Sequence, residues 1–275
     1  MKKIMILGAT GMAGHTVYNY LSKTEKYNII TVAYRNLLLP STIICDVTQQ
    51  DSLSALINLH QPDVLINCVG VLLKGSKDHP DNAIYINSYL PHLLSRLTAA
   101  YGGKTIHLST DCVYSGTKGG YLEGDFKDAD DTYGRSKALG ELVNDHDLTI
   151  RTSIIGPELK NSGEGLFSWV INQKGTITGY ERAFWSGLTT YELAKFIDFA
   201  ITNNLTGLVH ATNNNKISKF DLIALILQYY QLTTITLKGD AAKAIDKSLI
   251  NTRTDFNYAF PSYEEMIKDQ FIHTA

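Results

Sequence analysis

The sequence predicts an α/β fold built on a doubly wound parallel sheet, and three observations predict it. Strand-like and helix-like segments alternate through the first half of the 275 residues. The strand-like runs are apolar almost end to end, as in DVLIN at 63–67, which is the pattern of strands covered on both faces. A glycine-rich turn, Gly8-Ala9-Thr10-Gly11-Met12-Ala13-Gly14, joins the first such strand to the first helix. Right-handed crossovers between parallel strands then place helices on both sides of a sheet of about seven strands.

The elements follow in order. Residues 3–7 form an apolar run closed by Gly8, and 12–22 carry Met12, Val17, Tyr20 and Leu21 at helical spacing. Residues 28–33 and 42–45 are the second and third strands, the third closed by Asp46. Leu53, Leu56 and Ile57 mark a helix over 51–59. Then come a strand at 63–67, one long helix over 80–101, a strand at 104–109, a helix over 132–145 and a strand at 148–151. Beyond Arg151 the pattern loosens. Helices are expected over 166–173, 190–203, 218–230 and 261–271, the third opened by a Ser218 cap with Asp221 in its first turn. The division is a dinucleotide-binding part over 1–150 and a smaller mixed substrate-binding part over 151–275, interleaved with the sheet.

Composition removes several function classes. Lys and Arg number 25 against 27 Asp and Glu, a net charge of -2. No basic run suggests a nucleic-acid surface. The opening MKKIMILGATG holds only a short apolar run before Gly8, too short for a secretory h-region. No stretch approaches the ~18 apolar residues of a membrane span. Cys45, Cys68 and Cys112 are odd in number, far apart and without metal-ligand spacing. They are expected to be reduced thiols in a cytoplasmic protein. The acidic residues Glu123, Asp125, Asp128, Asp130 and Asp131 match no calcium loop and are read as solvated charge, so no metal is expected.

The turn at Gly8, Gly11 and Gly14 has the GxxGxxG pattern in a strand–loop–helix setting. Glycines there allow a tight turn and close approach to a pyrophosphate, and the helix N-terminus offers free N–H groups. Residues 8, 10, 11, 12, 13 and 14 are therefore the expected cradle of a Rossmann-like dinucleotide site. Where an acidic residue would hold the ribose of NAD, the second strand ends in Tyr34-Arg35-Asn36. Arg35 suits a 2′-phosphate, which inclines the reading to NADPH, with NADH as the second choice. Asp46 and Val47 close the third strand where an adenine edge would sit; Asp46 either meets the base or caps a turn. Cys68, Val69 and Gly70 follow the fourth strand at the carboxyl edge, where open α/β sheets bind ligands.

Tyr133 and Lys137 are four apart and share one helix face. A nearby ammonium is expected to lower the phenol from its usual value of ~10. Tyr133 would then exchange a proton with a carbonyl oxygen, and Lys137 would hold the nicotinamide ribose. Ser109 and Thr110 end another strand at the carboxyl edge, where the Thr110 hydroxyl can fix the substrate oxygen. Trp185 is either a stacking surface for base or sugar, or a buried anchor. Arg151 lies in a strand and requires an anionic partner if buried.

The segments GATGMAG, STDCVYSG, GGYLEGDFKDADDTYGRSKALGE and LTIRTSIIG resemble the extended short-chain dehydrogenase/reductase family, most closely its dTDP-4-dehydrorhamnose reductase branch. The resemblance spans nearly the whole chain and is strongest up to Gly156. It implies a Rossmann fold with a substrate-binding C-terminal part. It also implies NAD(P)H-dependent reduction of a 4-keto-6-deoxyhexose carried on a nucleotide diphosphate, in polysaccharide precursor synthesis. By resemblance Thr110, Tyr133 and Lys137 match the family's catalytic set, and Asp111 and Cys112 fall where the family approaches the sugar. The family often forms homodimers, although no interface signature is visible here. Two positions depart from the pattern: Leu188-Thr189 stands where a Pro-Thr pair is usual, and Cys112 where an aromatic residue is common. Asp111-Cys112 also lacks the Asp-Glu pair of a dehydratase. A sugar-nucleotide epimerase of the same fold remains an alternative, as does a cofactor-binding regulatory subunit, since a relative of this branch regulates methionine adenosyltransferase.

Overall fold

The computed structural model describes residues 1–160 and 163–274. β1 (Lys2–Leu7), α1 (Met12–Lys23), β2 (Tyr27–Ala33), β3 (Ile43–Ile44), α2 (Gln50–His60) and β4 (Val64–Asn67) open the chain. Next come α3 (Leu73–Asp78), α4 (Pro80–Ala83), a π-helical stretch Ile84–Tyr89, α5 (Leu90–Ala99), β5 (Lys104–Ser109), α6 (Thr132–Leu139) and β6 (Leu148–Arg151). The main sheet has seven parallel strands in the order Gly207–His210, β6, β5, β4, β1, β2, β3. This is the doubly wound arrangement the alternation predicted.

β1 shows why both faces are covered. Ile4 and Ile6 point into one core with Val17, Leu21, Phe196 and Ile197. Met5 and Leu7 point into the other with Leu53, Ile57, Leu90 and Leu94. Alternate side chains of a strand face opposite sides, so a strand apolar at every position needs helices on both. The first core is closed by α1 and α8 (Thr190–Thr202), the second by α2 and α5.

Three sequence expectations are corrected. The long helix over 80–101 has a π-helical centre, and α3 precedes it unpredicted. The helix expected over 132–145 ends at Leu139 with Gly140 as its C-cap, packed so closely on Asn87 that a Cβ there would lie 1.9 Å from the Asn87 carbonyl oxygen. The C-terminal part also contains strands that the loose pattern hid. Gly175–Tyr180 pairs in parallel with Ile235–Asp240, and Ala183–Trp185 lies between Ile217–Ser218 and Ile245–Asp246. The helices α7 (Leu166–Ile171), α9 (Lys219–Tyr229) and α10 (Tyr263–Thr274) pack around them. No helix among the described residues is long and apolar enough to cross a membrane.

Candidate active site

The strand order reverses between β1 and β4, and the glycine turn lies at their carboxyl ends. Gly8 adopts φ +78°, and its N–H and that of Ala9 both donate to the Val32 carbonyl at 3.0 Å. A Cβ at Gly14 would lie 2.2 Å from the Gly8 oxygen, so Gly14 lets α1 close onto the turn. Gly14 and Ala13 are buried at this turn. Thr10, Gly11 and Met12 stay partly exposed at the mouth. Gly11 caps α1 with no side-chain hydrogen bond, and no acidic residue occupies the first turn. The helix N-terminus is thus open to an anion.

Arg35 and Asn36 are exposed beyond β2, with the Arg35 guanidinium 4.4 Å above the Tyr34 ring. Asp46 takes its turn-capping alternative: Oδ1 accepts from the Thr48 N–H at 2.9 Å and hydroxyl at 2.7 Å. Val47 is half-buried beside it. After β4, Cys68 and Val69 are half-buried and Gly70 is exposed. This loop is held from two sides. Val69 N–H donates to Asn67 Oδ1 at 3.1 Å. Asn87, buried on the π-helical stretch, accepts from Val71 N–H and donates to Val71 O, each at 2.9 Å. Its amide also donates to Ser136 Oγ on α6 at 3.1 Å. The π-helical stretch therefore ties the loop to the helix that carries Tyr133 and Lys137.

Thr110 caps the short 3-10 turn Asp111–Val113; its Oγ1 accepts from Cys112 N–H and donates to Asp111 Oδ1, both at 3.1 Å. Asp131 caps α6 by accepting from Gly134 N–H at 2.8 Å. A Cβ at Gly134 would lie 2.2 Å from the Cys112 carbonyl oxygen, so glycine between Tyr133 and Lys137 lets α6 press onto that turn. Tyr133 is half-buried there. Burial raises its phenol above the ordinary value, Cys112, Asp111 and Asp131 add to the rise, and hydrogen bonding with Thr110 opposes it. The expected lowering by Lys137 is not found. Lys137 turns to β5 instead, donating to Leu108 O at 2.7 Å with Nζ 3.4 Å from His107 Nε2. Burial lowers its ammonium to about 8, against the pull of Glu141 and Cys68.

Asp111 is 6% exposed. Burial raises its carboxyl, while Lys247 and Lys219 from the C-terminal part pull it down. Neither lysine was foreseen; an interleaved C-terminal part gives no local signal. Burial pushes the Cys112 thiol up to about 12, so it is no thiolate near neutral pH. Two expected contact residues are largely buried. The Ser109 hydroxyl donates to Glu141 Oε1 at 2.7 Å. Trp185 is 7% exposed in the core, its ring centroid 5.7 Å from that of Tyr263, which is the buried-anchor alternative.

The partner of Arg151 is protein. Glu141 receives Nε at 2.7 Å and Nη2 at 2.6 Å, while Nη1 reaches Tyr114 Oη at 2.6 Å and His210 Nε2 at 2.7 Å. The acidic residues after Tyr121 have structural partners too: Glu123 accepts from Thr252 and His210, Asp125 from Lys118, and Asp128 from Ser115. All three cysteines are free and partly buried.

The chain is similar to methionine adenosyltransferase 2 subunit beta of Danio rerio, at 28% identity over 51% of this chain and 42% of the relative. This chain therefore spans less than half the length of that relative. It is similar to dTDP-4-dehydrorhamnose reductase of Mycolicibacterium smegmatis, at 24% identity over 80% of this chain and 67% of the relative. Its fold matches a solved structure of dTDP-4-dehydrorhamnose reductase from Bacillus anthracis in complex with NADP, with a TM-score of 0.84, 22% identity and 99% of each chain covered. The RmlD substrate binding domain family matches residues 1–255, which take in the open helix N-terminus, the Thr110 turn and α6 together, and the chain belongs to that family.

Proposed function

We propose that the protein is an NADPH-dependent reductase of the 4-keto group of a nucleotide-linked 4-keto-6-deoxyhexose. One observation carries this reading. Thr110, Tyr133 and Lys137 lie at one carboxyl edge of the sheet, on elements tied by Asn87 to the loop beside the open N-terminus of α1. The uncapped N–H groups of α1 fit a pyrophosphate, and the exposed Arg35 fits a 2′-phosphate. NADPH would be held there, with Lys137 toward its ribose, and would supply hydride; NADH is the second choice. The similarity to dTDP-4-dehydrorhamnose reductases supports this assignment.

Each residue then has a task. Thr110 Oγ1 holds the substrate carbonyl oxygen by hydrogen bonding. Tyr133 gives its phenolic proton to that oxygen as the carbon is reduced. Tyr133 holds its proton at working pH, as a donor must, and burial makes the phenol a weaker acid than usual. Asp111 fixes the resting Thr110 hydroxyl. Lys219 and Lys247 bring positive charge to the same turn, where a nucleotide diphosphate would need it. Lys219 also lines a cavity of about 460 Å³ with Leu166, Trp169, Thr178 and Tyr180, which we assign to the nucleotide end of the substrate.

The test follows NADPH absorbance with dTDP- and UDP-linked 4-keto-6-deoxyhexoses. Consumption with one sugar, reduced about 10²–10⁴-fold in Tyr133→Phe with cofactor binding retained, is expected. Tight cofactor binding with no consumption on any sugar would overturn the reductase. It would favour a cofactor-binding regulatory subunit, in line with the similarity to methionine adenosyltransferase 2 subunit beta.

A further inference from the structure

The open first turn of α1 carries a buried titratable side chain that the reading above leaves unused. His15 is 5% exposed, and its Nδ1 lies 2.8 Å from the Gly11 carbonyl oxygen. A carbonyl oxygen only accepts, so Nδ1 carries a hydrogen. Gly11 is the N-cap of α1. Its carbonyl belongs to the peptide unit whose N–H, that of Met12, is one of the first-turn donors offered to an anion. The imidazole thus stands one peptide unit behind the expected pyrophosphate, about 7–8 Å from it.

The other ring nitrogen meets a hydroxyl that can turn. Nε2 lies 3.3 Å from Thr16 Oγ1. That hydroxyl also has two acceptors, Met12 O at 3.3 Å and Thr190 Oγ1 on α8 at 3.2 Å. The Thr190 hydroxyl is committed elsewhere: it donates to Gln270 Oε1 on α10 at 3.1 Å. Tyr191 N–H donates to the same oxygen at 3.3 Å and fixes the amide. Neutral His15 accepts the Thr16 hydrogen at Nε2. Charged His15 donates from Nε2 to Thr16, which passes its own hydrogen to Met12 O and Thr190. The imidazole therefore has partners for both nitrogens in either charge state. Passing between them turns one hydroxyl and moves no backbone.

We propose that His15 is a titratable positioning residue of the dinucleotide site, taking up a proton as the pyrophosphate binds and holding the Gly11–Met12 peptide against it. This rests on the dinucleotide assignment and not on the sugar. The imidazolium and the pyrophosphate stabilise each other, so affinity is greatest where His15 is already charged in the free protein. It falls as pH rises through the titration of His15 in the complex.

The surroundings leave this role to the ligand. Among the described residues, His146 is the only histidine with a carboxylate within ion-pair distance. The side chains that α8 and α10 bring to the His15 chain, Thr190 and Gln270, do not titrate. The charged groups of those helices pair among themselves or with the loop after α1: Lys195 with Glu192 at 2.7 Å and Asp269 at 3.4 Å, and Asp198 with Lys26 at 2.9 Å. At the mouth, a Cβ on Gly165 would lie 2.5 Å from Met12 Cε and 3.1 Å from Glu158 Oε1. Glu158 is held there by Gly165 N–H and the Ser168 hydroxyl, each donating at 3.2 Å.

The test is titration calorimetry of the full chain with NADPH, and with NADH, which lacks the titrating 2′-phosphate. It runs from about pH 6 to 8 in buffers of different ionisation enthalpy. The wild-type protein is expected to take up protons on binding NADH. Over this range it should lose about tenfold more affinity for either dinucleotide than His15→Gln does. Glutamine keeps a donor for Gly11 but cannot titrate, so proton uptake with NADH should vanish. A merely structural role would change affinity equally at every pH. Parallel curves for the two proteins overturn the proposal, and so does NADH binding by the wild-type protein without proton uptake. If His15→Gln fails to fold, Thr16→Val removes the acceptor of Nε2–H and should lower the uptake; unchanged uptake overturns the proposal. No binding of either dinucleotide at any pH overturns the dinucleotide assignment and this inference with it. Binding without turnover on any sugar leaves the inference standing.

Discussion

Arg151 and Lys137 are two cations buried to similar depth, 1% and 4% exposed, near the carboxyl edge of one sheet. Their surroundings differ in one respect. Arg151 meets a carboxylate with two of its nitrogens and has acceptors on the third. Burial works against its charge, but Glu141 outweighs it and the guanidinium is held more firmly than usual. Lys137 meets only a carbonyl and an imidazole, and burial lowers its ammonium to about 8. A buried charge with a full set of opposite partners is fixed and serves the fold. A buried charge with neutral partners sits near its titration point, which suits the chemistry proposed for Lys137.

Breaking the paired charge has the largest expected effect on stability. Arg151→Met takes two charged hydrogen bonds from Glu141, whose side chain is fully buried, leaving it Lys127 at 3.1 Å and the Ser109 hydroxyl at 2.7 Å. A loss of about 3–5 kcal/mol is expected in urea denaturation. A loss below ~1 kcal/mol would mean that the network is not holding this edge together.

Gly134→Ala sharpens the comparison from the side of the active helix. Its Cβ would lie 2.2 Å from the Cys112 oxygen and 2.5 Å from Ala129 Cβ. Backbone has to move, so a cost of about 1–3 kcal/mol is expected. Turnover should fall further than stability, because Tyr133 shifts away from Thr110. Unchanged turnover would show that the contact between α6 and the Thr110 turn does not set the site.

The smallest effect is a slope. Lys137 holds fewer protons folded than unfolded between about 8 and its ordinary 10.5. Native stability should therefore rise with pH in that window, relative to Lys137→Met, by up to about 1.4 kcal/mol per pH unit. Below about 8 the full cost of burying the charge is present. Lys104, also lowered to about 8 by burial, is common to both proteins and cancels. Parallel stability curves for the two proteins would show that Lys137 titrates normally.

The sheet was legible because β1, β2 and β4 each centre on an apolar run, and the glycine turn marks where it begins. Tyr133, Lys137 and Thr110 stood out as candidates because Thr110 follows a recognisable strand and Tyr133 and Lys137 share one turn of a recognisable helix. The scaffold behind them was harder to see. Asn67 ends the apolar run VLI, and His107 lies between Ile106 and Leu108 in mid-strand; a polar residue at such a position is the signal that could have singled them out. The Arg151–Glu141 pair was half visible: the strand demanded a partner for Arg151, but Glu141 was placed inside a helix expected to run to residue 145. Lys219 and Lys247 approach Asp111 through tertiary folding alone. Trp185 and Ser109 have site-like identities and inward-facing surroundings, which residue type does not reveal.

The most direct measurement is denaturation and turnover, side by side, for Lys137→Met and Arg151→Met. At pH 7 Lys137→Met should keep or gain stability and lose turnover by about 10²-fold or more. Arg151→Met should lose stability while its folded fraction keeps most of its turnover. An unfolded Lys137→Met beside a stable Arg151→Met would contradict the assignment of one charge to chemistry and the other to structure.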